Sequence, residues 1–282
     1  MSQIRKALEK AKVLRLDHET REPRERREGG LSRGAVVGYT GTRIIEVSQK
    51  ELLGNKIVAL HDKNPAADQF KFLRTRVFKH TRHRGWNVIQ VTGFGPGEGK
   101  SLVAANLAVS IAQDPRQTAL LADLDFRRPS VARLFGLGAK TAGLKSYIEN
   151  ERELEEIFVN PSIPKLTILP AGGGLQRAAE ALGSARMEAL LRELKHRYQD
   201  RYVILDTPGI NVCPDPVIIS EYADAIILVA RAGVTSKANV TAAMERIPKE
   251  KILCAVLGDV RRGQLASYGY YAGERYSEDS NR

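Results

Sequence analysis

One glycine-rich segment, Gly93–Ser101 with the sequence GFGPGEGKS, limits most strongly what this chain can fold into. It follows an apolar run, Val88–Val91, and precedes a stretch with helical periodicity that starts at Leu102. A strand, a glycine-rich turn and a helix that begins Lys-Ser are the parts of a P-loop, in which backbone N–H groups and the positive end of the helix dipole bind phosphate. The sequence therefore predicts that the chain binds a nucleoside triphosphate.

The residues of this turn have distinct predicted roles. Lys100 can bridge the β- and γ-phosphates, and the Ser101 hydroxyl can ligate Mg²⁺. The pattern departs at Phe94, because the full P-loop pattern has glycine six places before Lys100 and the nearest one here is Gly93. The order of strand, turn and helix is kept, so the predicted nucleotide-binding residues are Gly95, Pro96, Gly97, Glu98, Gly99, Lys100, Ser101 and Leu102.

Apolar runs and helical patterns alternate from residue 87 onward. Strands are predicted at 87–92, 118–123, 166–170, 201–206, 224–230 and 251–257, and helices at 66–80, 100–112, 129–135, 143–149, 184–198, 215–222 and 236–246. Continuous apolar strands such as Ala225–Val229 are typical of parallel sheets that are covered on both faces. We predict an α/β fold, a P-loop NTPase three-layer sandwich with a mostly parallel central sheet and phosphates at the C-terminal ends of its strands.

Three aspartates stand at the ends of predicted strands. Asp123 and Asp125 end the second strand at alternate positions, so their side chains leave it on the same side. Asp206 ends an apolar strand in the Walker B pattern and can hold Mg²⁺ opposite Ser101. We predict a metal site of Ser101, Asp123 and Asp206. The predicted catalytic residues are Lys100, which neutralises charge, and Asp123 or Asp125, which orients an incoming hydroxyl and accepts its proton.

Tyrosines cluster near the C-terminus. Four of the nine tyrosines, Tyr268, Tyr270, Tyr271 and Tyr276, lie within nine residues, where uniform scatter would place about 0.3 in a chain of ordinary aromatic content. Their glycine and polar neighbours do not suit a packed strand, which indicates a flexible tail of phosphate acceptors. About 15 extended residues span roughly 50 Å, enough to reach the active site of a neighbouring subunit.

Composition excludes several classes of protein. No apolar stretch approaches the roughly 18–20 residues of a membrane span, no secretory segment is present, and Cys213 and Cys254 give no disulfide framework, which fits a reducing cytosol. The net charge is +11, and residues 71–84 contain six lysines and arginines without a carboxylate. Such a patch suits nucleic acid, anionic lipid or an acidic partner, or is simply a solvated helix face. No nucleic-acid module accompanies it, so nucleic acid is not predicted as a partner.

The chain divides into four predicted parts. Residues 1–42 read as an amphipathic helix and a flexible linker, and residues 43–85 as an N-terminal extension that carries the helix at 66–80. Residues 86–260 form the P-loop domain, and residues 261–282 form the tyrosine-rich tail.

Together these motifs resemble the bacterial tyrosine kinases of capsule and exopolysaccharide assembly, over about residues 65–276. Pro96–Ser101 resembles the family's Walker A ending, Asp123–Pro129 its Walker A′ motif and Ile204–Pro208 its Walker B motif. Residues 68–75 resemble its oligomerisation helix, which normally begins with Glu and carries two arginines. Here the matching residues are Asp68, Lys71 and Arg74. The last strand ends at Gly258, where relatives often carry an Asn that contacts adenine.

The resemblance implies ATP and Mg²⁺ as cofactors and autophosphorylation of the tail in trans, between the subunits of a ring. It also implies a membrane-anchored polysaccharide co-polymerase as activating partner and a tyrosine phosphatase. Many relatives carry the membrane part fused to the kinase, so a separate partner chain is expected here. The expected location is cytoplasmic, at the inner face of the cell membrane.

Two other functions remain open on sequence alone. A switch ATPase resembling the septum-placement and partition ATPases would share the fold and both strand-end aspartate motifs, but that group has a signature lysine where this chain has Gly95. A nucleotide-binding scaffold with little catalysis would bind ATP without turning it over.

Overall fold

The computed structural model describes residues 42–138, 141–196 and 200–260. The predicted N-terminal helix and almost all of its linker lie outside these ranges, as does the tail with Tyr268, Tyr270, Tyr271 and Tyr276. Across the described ranges, no helix combines the length and the apolar content that crossing a membrane would require.

An eight-stranded sheet forms the centre of the fold, in the order β1-β4-β5-β3-β6-β2-β7-β8. All neighbouring strands run parallel except β4 and β5, which are antiparallel. The strands are β1 Arg43–Ile44, β2 Val88–Gly93, β3 Thr118–Asp123, β4 Val159–Asn160, β5 Leu166–Leu169, β6 Arg201–Gly209, β7 Ala225–Arg231 and β8 Ile252–Gly258.

Helices connect the strands. They are α1 Gln49–Gly54, α2 Pro65–Thr81, α3 Lys100–Ala112, α4 Val131–Leu134, α5 Leu144–Ile148, α6 Leu154–Ile157, α7 Ala178–Leu182, α8 Ala185–His196, α9 Asp215–Ser220 and α10 Lys237–Met244. Local sequence explains several helix starts. The Asn64 side chain caps α2 ahead of Pro65, and Ser48 and Ser236 cap α1 and α10 in the same way.

Apolar cores on both faces of the sheet give the fold three layers. On one face α2 and α3 pack against strand residues such as Ile89, Leu121 and Ile204. On the other face α7, α8 and α9 cover the alternate strand residues, including Leu120 and Val203. A smaller cluster under α10 covers β7. The predicted α/β three-layer sandwich with a mostly parallel sheet is confirmed.

The segment before β2 is joined to α3 by a fully buried asparagine. The Asn106 carboxamide oxygen accepts the backbone N–H groups of Val58 (2.8 Å) and Ala59 (3.0 Å). Its amide nitrogen donates to the carbonyls of Lys56 and Leu102, both at 3.0 Å. This side chain therefore ties residues 56–59 to the helix that begins at the P-loop.

Candidate functional site

The predicted P-loop lies at the C-terminal end of β2, a central strand flanked by β6 and β7. The turn ends where α3 begins, at Lys100. Two glycines have positive φ angles, +71° at Gly97 and +90° at Gly99. Because side chains rarely tolerate this backbone region, glycine is required at both positions for the turn to close onto the helix.

The departure at Phe94 has a steric explanation. A Cβ atom on Gly93 would lie 2.5 Å from Glu98 Oε2 and 2.5 Å from the Val229 carbonyl oxygen, so no side chain fits there. Phe94 is instead buried and packs in the cluster that contains Ile210 and Leu228. The crowded position of this loop is thus residue 93, and residue 94 anchors the loop to the core.

Lys100 and Glu98 each form hydrogen bonds with backbone groups of the loop. Lys100, only 7% exposed, donates from Nζ to the Gly95 carbonyl at 2.5 Å. Glu98 Oε2 accepts the N–H groups of Phe94 (2.7 Å) and Gly95 (2.9 Å). The carboxylate of Glu98 therefore braces the turn, although the sequence alone predicts Glu98 simply as one of the nucleotide-binding residues.

Asp206 lies on β6 directly beside the P-loop strand, in register with Val91 of β2 on one side and Asp123 of β3 on the other. It is fully buried, and neither carboxylate oxygen accepts a hydrogen bond from the part of the chain that the structure describes. Burial, followed by the charge of Asp123, raises the pKa of Asp206 well above its usual value. The nearby Ser101 hydroxyl opposes this without a bond of normal geometry, and so does the Lys100 charge.

Asp123 is also buried, but its carboxylate is held by backbone donors. Oδ2 accepts the N–H groups of Ser130 and Val131 at 3.0 Å each, and Oδ1 accepts that of Asp125 at 3.2 Å. Burial raises the pKa of Asp123 to about 6, against the lowering effect of these hydrogen bonds. A carboxylate oxygen can accept two bonds, so Oδ1 keeps one free acceptor position.

Asp125 is half-buried at the start of the loop after β3. Its Oδ1 accepts the N–H groups of Arg127 (3.1 Å) and Arg128 (2.9 Å), which closes a tight turn. The structure therefore brings Lys100, Ser101, Asp123, Asp125 and Asp206 to one edge of the sheet.

The donor set fits a magnesium ion held with a triphosphate. Two neighbouring buried carboxylates with raised pKa values are an unfavourable arrangement unless a cation lies beside them. The orphaned oxygens of Asp206 and the Ser101 hydroxyl are the hard oxygen ligands that Mg²⁺ takes.

Further polar residues at this edge were missed from sequence. Arg127 forms a bidentate ion pair with the fully buried Asp215 at the start of α9, with N–O distances of 3.1 and 3.2 Å. Arg231 ends β7, Thr235 and Asp259 follow the ends of β7 and β8, and the three bond to one another or to the P-loop. Their position at or just beyond strand ends was the available signal.

The predicted oligomerisation residues all lie on α2. Lys71 pairs with Asp62 (2.9 Å) and Asp68 (3.1 Å), and Arg74 donates to the Ser110 carbonyl of α3 (2.6 Å). Gly258 ends β8, and a Cβ there would lie 3.7 Å from the Glu98 carbonyl oxygen. The strand end that carries Gly258 is thus adjacent to the P-loop.

Comparison with known proteins finds relatives but no matching family model. The tyrosine-protein kinase YwqD of Bacillus subtilis (strain 168) is 33% identical over 219 residues, which cover 77% of this chain and 91% of the relative. The tyrosine-protein kinase CpsD of Streptococcus agalactiae is 28% identical over 215 residues, 75% of this chain and 91% of the relative. The kinase domain of Escherichia coli tyrosine kinase ETK matches with a TM-score of 0.66 and 25% identity, over 76% of this chain and 88% of that structure.

Proposed function

Because this chain belongs to the bacterial tyrosine-protein kinases, we propose that it transfers the γ-phosphate of ATP to tyrosines of its own C-terminal tail. The acceptors in this proposal are Tyr268, Tyr270, Tyr271 and Tyr276. Membership of the kinase family favours this reaction over a switch ATPase, and the residue at the signature-lysine position, Gly95, agrees with that choice.

Phosphate binding is assigned to the P-loop. Lys100 and the backbone N–H groups of residues 97–101 hold the β- and γ-phosphates, supported by the left-handed turn at Gly97 and Gly99 and by the helix that starts at Lys100. Lys100 leaves the Gly95 carbonyl and turns its ammonium group to the phosphate oxygens, which exchanges a neutral acceptor for a charged one.

One observation carries the proposal, the two orphaned oxygens of the buried Asp206 beside Asp123 and Ser101. Ser101 and Asp206 would hold Mg²⁺, with Asp123 close to it, directly or through water. Bound Mg²⁺ neutralises the charge of the phosphate oxygens during phosphoryl transfer. In this proposal the negative charge of Asp206 offsets the positive charge of Mg²⁺. Because the Asp206 side chain is fully buried, its carboxylate is held in a fixed position as a metal ligand.

Asp123 is our favoured group for the incoming tyrosine. Its Oδ1 keeps a free acceptor position, which can accept a hydrogen bond from the phenol hydroxyl. It would orient the phenol and take the proton late in the transfer. Asp125 is the alternative, because its side chain is the more exposed of the two.

Assembly and location follow from the family and are likewise proposals. We expect a ring formed through α2, which carries Asp68, Lys71 and Arg74 and exposes Phe72 on its outer surface. We expect regulation of exopolysaccharide or capsule polymerisation and export, activation by a membrane-anchored co-polymerase at the inner face of the membrane, and reversal by a tyrosine phosphatase.

The full chain incubated with ATP and Mg²⁺, with and without a membrane partner, tests the proposal by mass spectrometry of the tail. We expect phosphotyrosine in wild type and none in Lys100→Met, which also loses tight nucleotide binding. Asp123→Asn is expected to abolish phosphorylation while some ATP binding remains. Changing the four tail tyrosines to Phe is the matched control that keeps the pocket intact.

Three results would contradict the proposal. Hydrolysis without phosphotyrosine would indicate a switch ATPase. Binding without turnover, even with the partner present, would indicate a scaffold. Unchanged phosphate incorporation in the variant without tail tyrosines would move the acceptor elsewhere.

A further inference from the structure

A threonine outside the P-loop is bonded to it. Thr235 lies in the turn between β7 and α10, and its hydroxyl donates to Glu98 Oε1 at 2.6 Å. The Thr235 hydroxyl oxygen in turn accepts the backbone N–H of Arg231, at the end of β7, at 2.9 Å. Thr235 is thereby fixed to the sheet on one side and to the phosphate-binding turn on the other.

Glu98 connects Thr235 to the backbone of the phosphate-binding turn through hydrogen bonds. Only 4% of Glu98 is exposed, and its second oxygen accepts the N–H groups of Phe94 and Gly95. Its carboxylate also fills the space in front of Gly93, where a Cβ would come within 2.5 Å. Both oxygens of Glu98 are therefore engaged, and the carboxylate has little room to move.

The last link reaches the lysine. Glu98 orients the peptide units on both sides of Phe94, and the carbonyl of the next peptide unit, Gly95–Pro96, accepts a hydrogen bond from Lys100 Nζ at 2.5 Å. We propose that Thr235 is a positioning residue which, through Glu98 and the backbone of residues 94–96, fixes the P-loop lysine where it can receive a triphosphate. This inference rests on the proposed nucleotide site and names residues beyond it.

Physical chemistry supports a role beyond holding the turn together. A hydroxyl that donates to a buried carboxylate makes a short, charge-assisted bond, and its removal leaves that charge with one donor fewer. Glu98 would then be free to turn and release the N–H groups of Phe94 and Gly95. A hydroxyl that merely closed the β7–α10 turn would need only the bond from Arg231, and its loss would leave Lys100 unaffected.

Thr235→Val tests the inference, because valine matches the shape of threonine without its hydroxyl. Two measurements on the full chain distinguish a role in positioning Lys100 from a role that only closes the β7–α10 turn. Without nucleotide, the rate at which an amine-acylating reagent labels Lys100, read by mass spectrometry, is expected to rise several-fold. With ATP and Mg²⁺, the Kd for ATP is expected to rise about tenfold, the size expected for one lost hydrogen bond to a charged group. The value of kcat at saturating ATP is expected to stay within about twofold.

Thr235→Ser is the matched control, since it keeps the hydroxyl, and it is expected to restore both labelling and affinity. Unchanged Lys100 labelling in Thr235→Val, or an equal defect in Thr235→Ser, would overturn the inference. Failure of wild type to bind ATP would instead remove the proposed function, and the labelling result would still test the link from Thr235 to Lys100.

Discussion

At the scale of single residues, the site combines carboxylates that the surrounding protein treats differently. Asp123 is stabilised by three backbone N–H groups, whereas Asp206, its neighbour in register, receives no hydrogen bond from the described residues. Burial raises the pKa of both. The charge of Asp206 therefore opposes folding, as expected of a residue retained for the proposed metal site.

Asp206→Asn is expected to stabilise the protein without nucleotide or metal. The folded state raises the pKa of Asp206 above the ordinary 3.8, so the charged form carries a penalty that is absent below that pH and grows as the pH rises. At pH 7.5 we expect a gain of roughly 1–2 kcal/mol in the free energy of unfolding, since an amide is cheaper to bury than a charge.

Thermal unfolding in a chelator measures this gain, at about 2–4 °C in Tm per kcal/mol. The advantage is expected to shrink toward pH 4. Asp123→Asn is the comparison. Both oxygens of Asp123 accept backbone N–H groups, so an amide NH₂ in place of either oxygen would face a donor, and this variant is expected to lower Tm. A fall in Tm for Asp206→Asn at pH 7.5 would contradict the assignment.

Binding of magnesium–ADP is expected to depend on pH. Below the raised pKa values, about 6 for Asp123, the carboxyls must lose protons before a cation can bind. Affinity is therefore expected to rise from pH 5 to 7 as Asp123 loses its proton, by at most about tenfold per pH unit for each proton released. Calorimetry in two buffers of different ionisation enthalpy counts these protons. ADP in chelator is the control, and an equally steep dependence there would count against the carboxylates.

At the scale of elements, α3 connects the P-loop with residues 56–59, which precede β2 in the chain. Its first residue is Lys100, and six residues further along the helix Asn106 binds residues 56–59 with its carboxamide. The helix therefore links the P-loop to the part of the chain that leads into α2.

Asn106→Leu is expected to weaken the connection between α3 and residues 56–59. Leucine has a similar volume but leaves the N–H groups of Val58 and Ala59 and the carbonyl of Lys56 without their partner. We expect a loss of about 3 kcal/mol in the free energy of unfolding, at roughly 1 kcal/mol for each unsatisfied group. Urea unfolding measures the loss, and hydrogen exchange is expected to quicken at residues 56–59. Ser110→Ala, also buried on α3, is the control, and an equal effect there would remove the special role of Asn106.

The order of elements in the domain follows from hydrophobic periodicity, and predicted strands such as 118–123 agree with the observed β3. Other features depend on tertiary structure. The strands β1 and β4 have two residues each and no period to detect. β6 continues through Thr207–Gly209 because its neighbours pair with it there. The aspartates could be assigned to one edge of the sheet from the sequence alone. The hydrogen bond between Thr235 and Glu98 joins residues that are far apart in the sequence, so no spacing pattern predicts it.

At the scale of the whole molecule, α2 offers a surface that the described parts of the chain leave uncovered. Phe72 is 67% exposed on a helix whose neighbouring residues include Lys71, Arg76 and Lys79. An exposed aromatic among cations suits a contact with another copy or partner, whereas Arg74 is already bonded to α3.

Phe72→Ser is expected to weaken assembly and leave the monomer intact. The side chain loses contacts only if a second copy covers it, so the free energy of unfolding is expected to change by less than about 0.5 kcal/mol. Light scattering measures the mass. Leu53→Ser changes another exposed apolar residue, on α1, and serves as control. An unchanged mass for Phe72→Ser in a chain that oligomerises would place the interface elsewhere.

Phosphorylation of the tail is expected to loosen the assembly. Each phosphotyrosine adds about −1.5 to −2 charges, so four add roughly −6 to −8, against a net charge of +11 for the chain. The modified tail is then repelled from a site that already holds a triphosphate and aspartates. Light scattering before and after ATP measures the change, and a constant mass at full phosphorylation would contradict it.

The crowding at Gly93 bears on how such proteins are recognised. The loop tolerates no side chain at residue 93, yet residue 94 points a phenyl ring into the core. A text pattern that demands glycine at residue 94 would discard this protein, although the steric condition behind the pattern is met one residue earlier. In a saturation mutagenesis library selected for a folded, active protein, we expect every substitution at residue 93 to be depleted, while residue 94 accepts leucine or methionine.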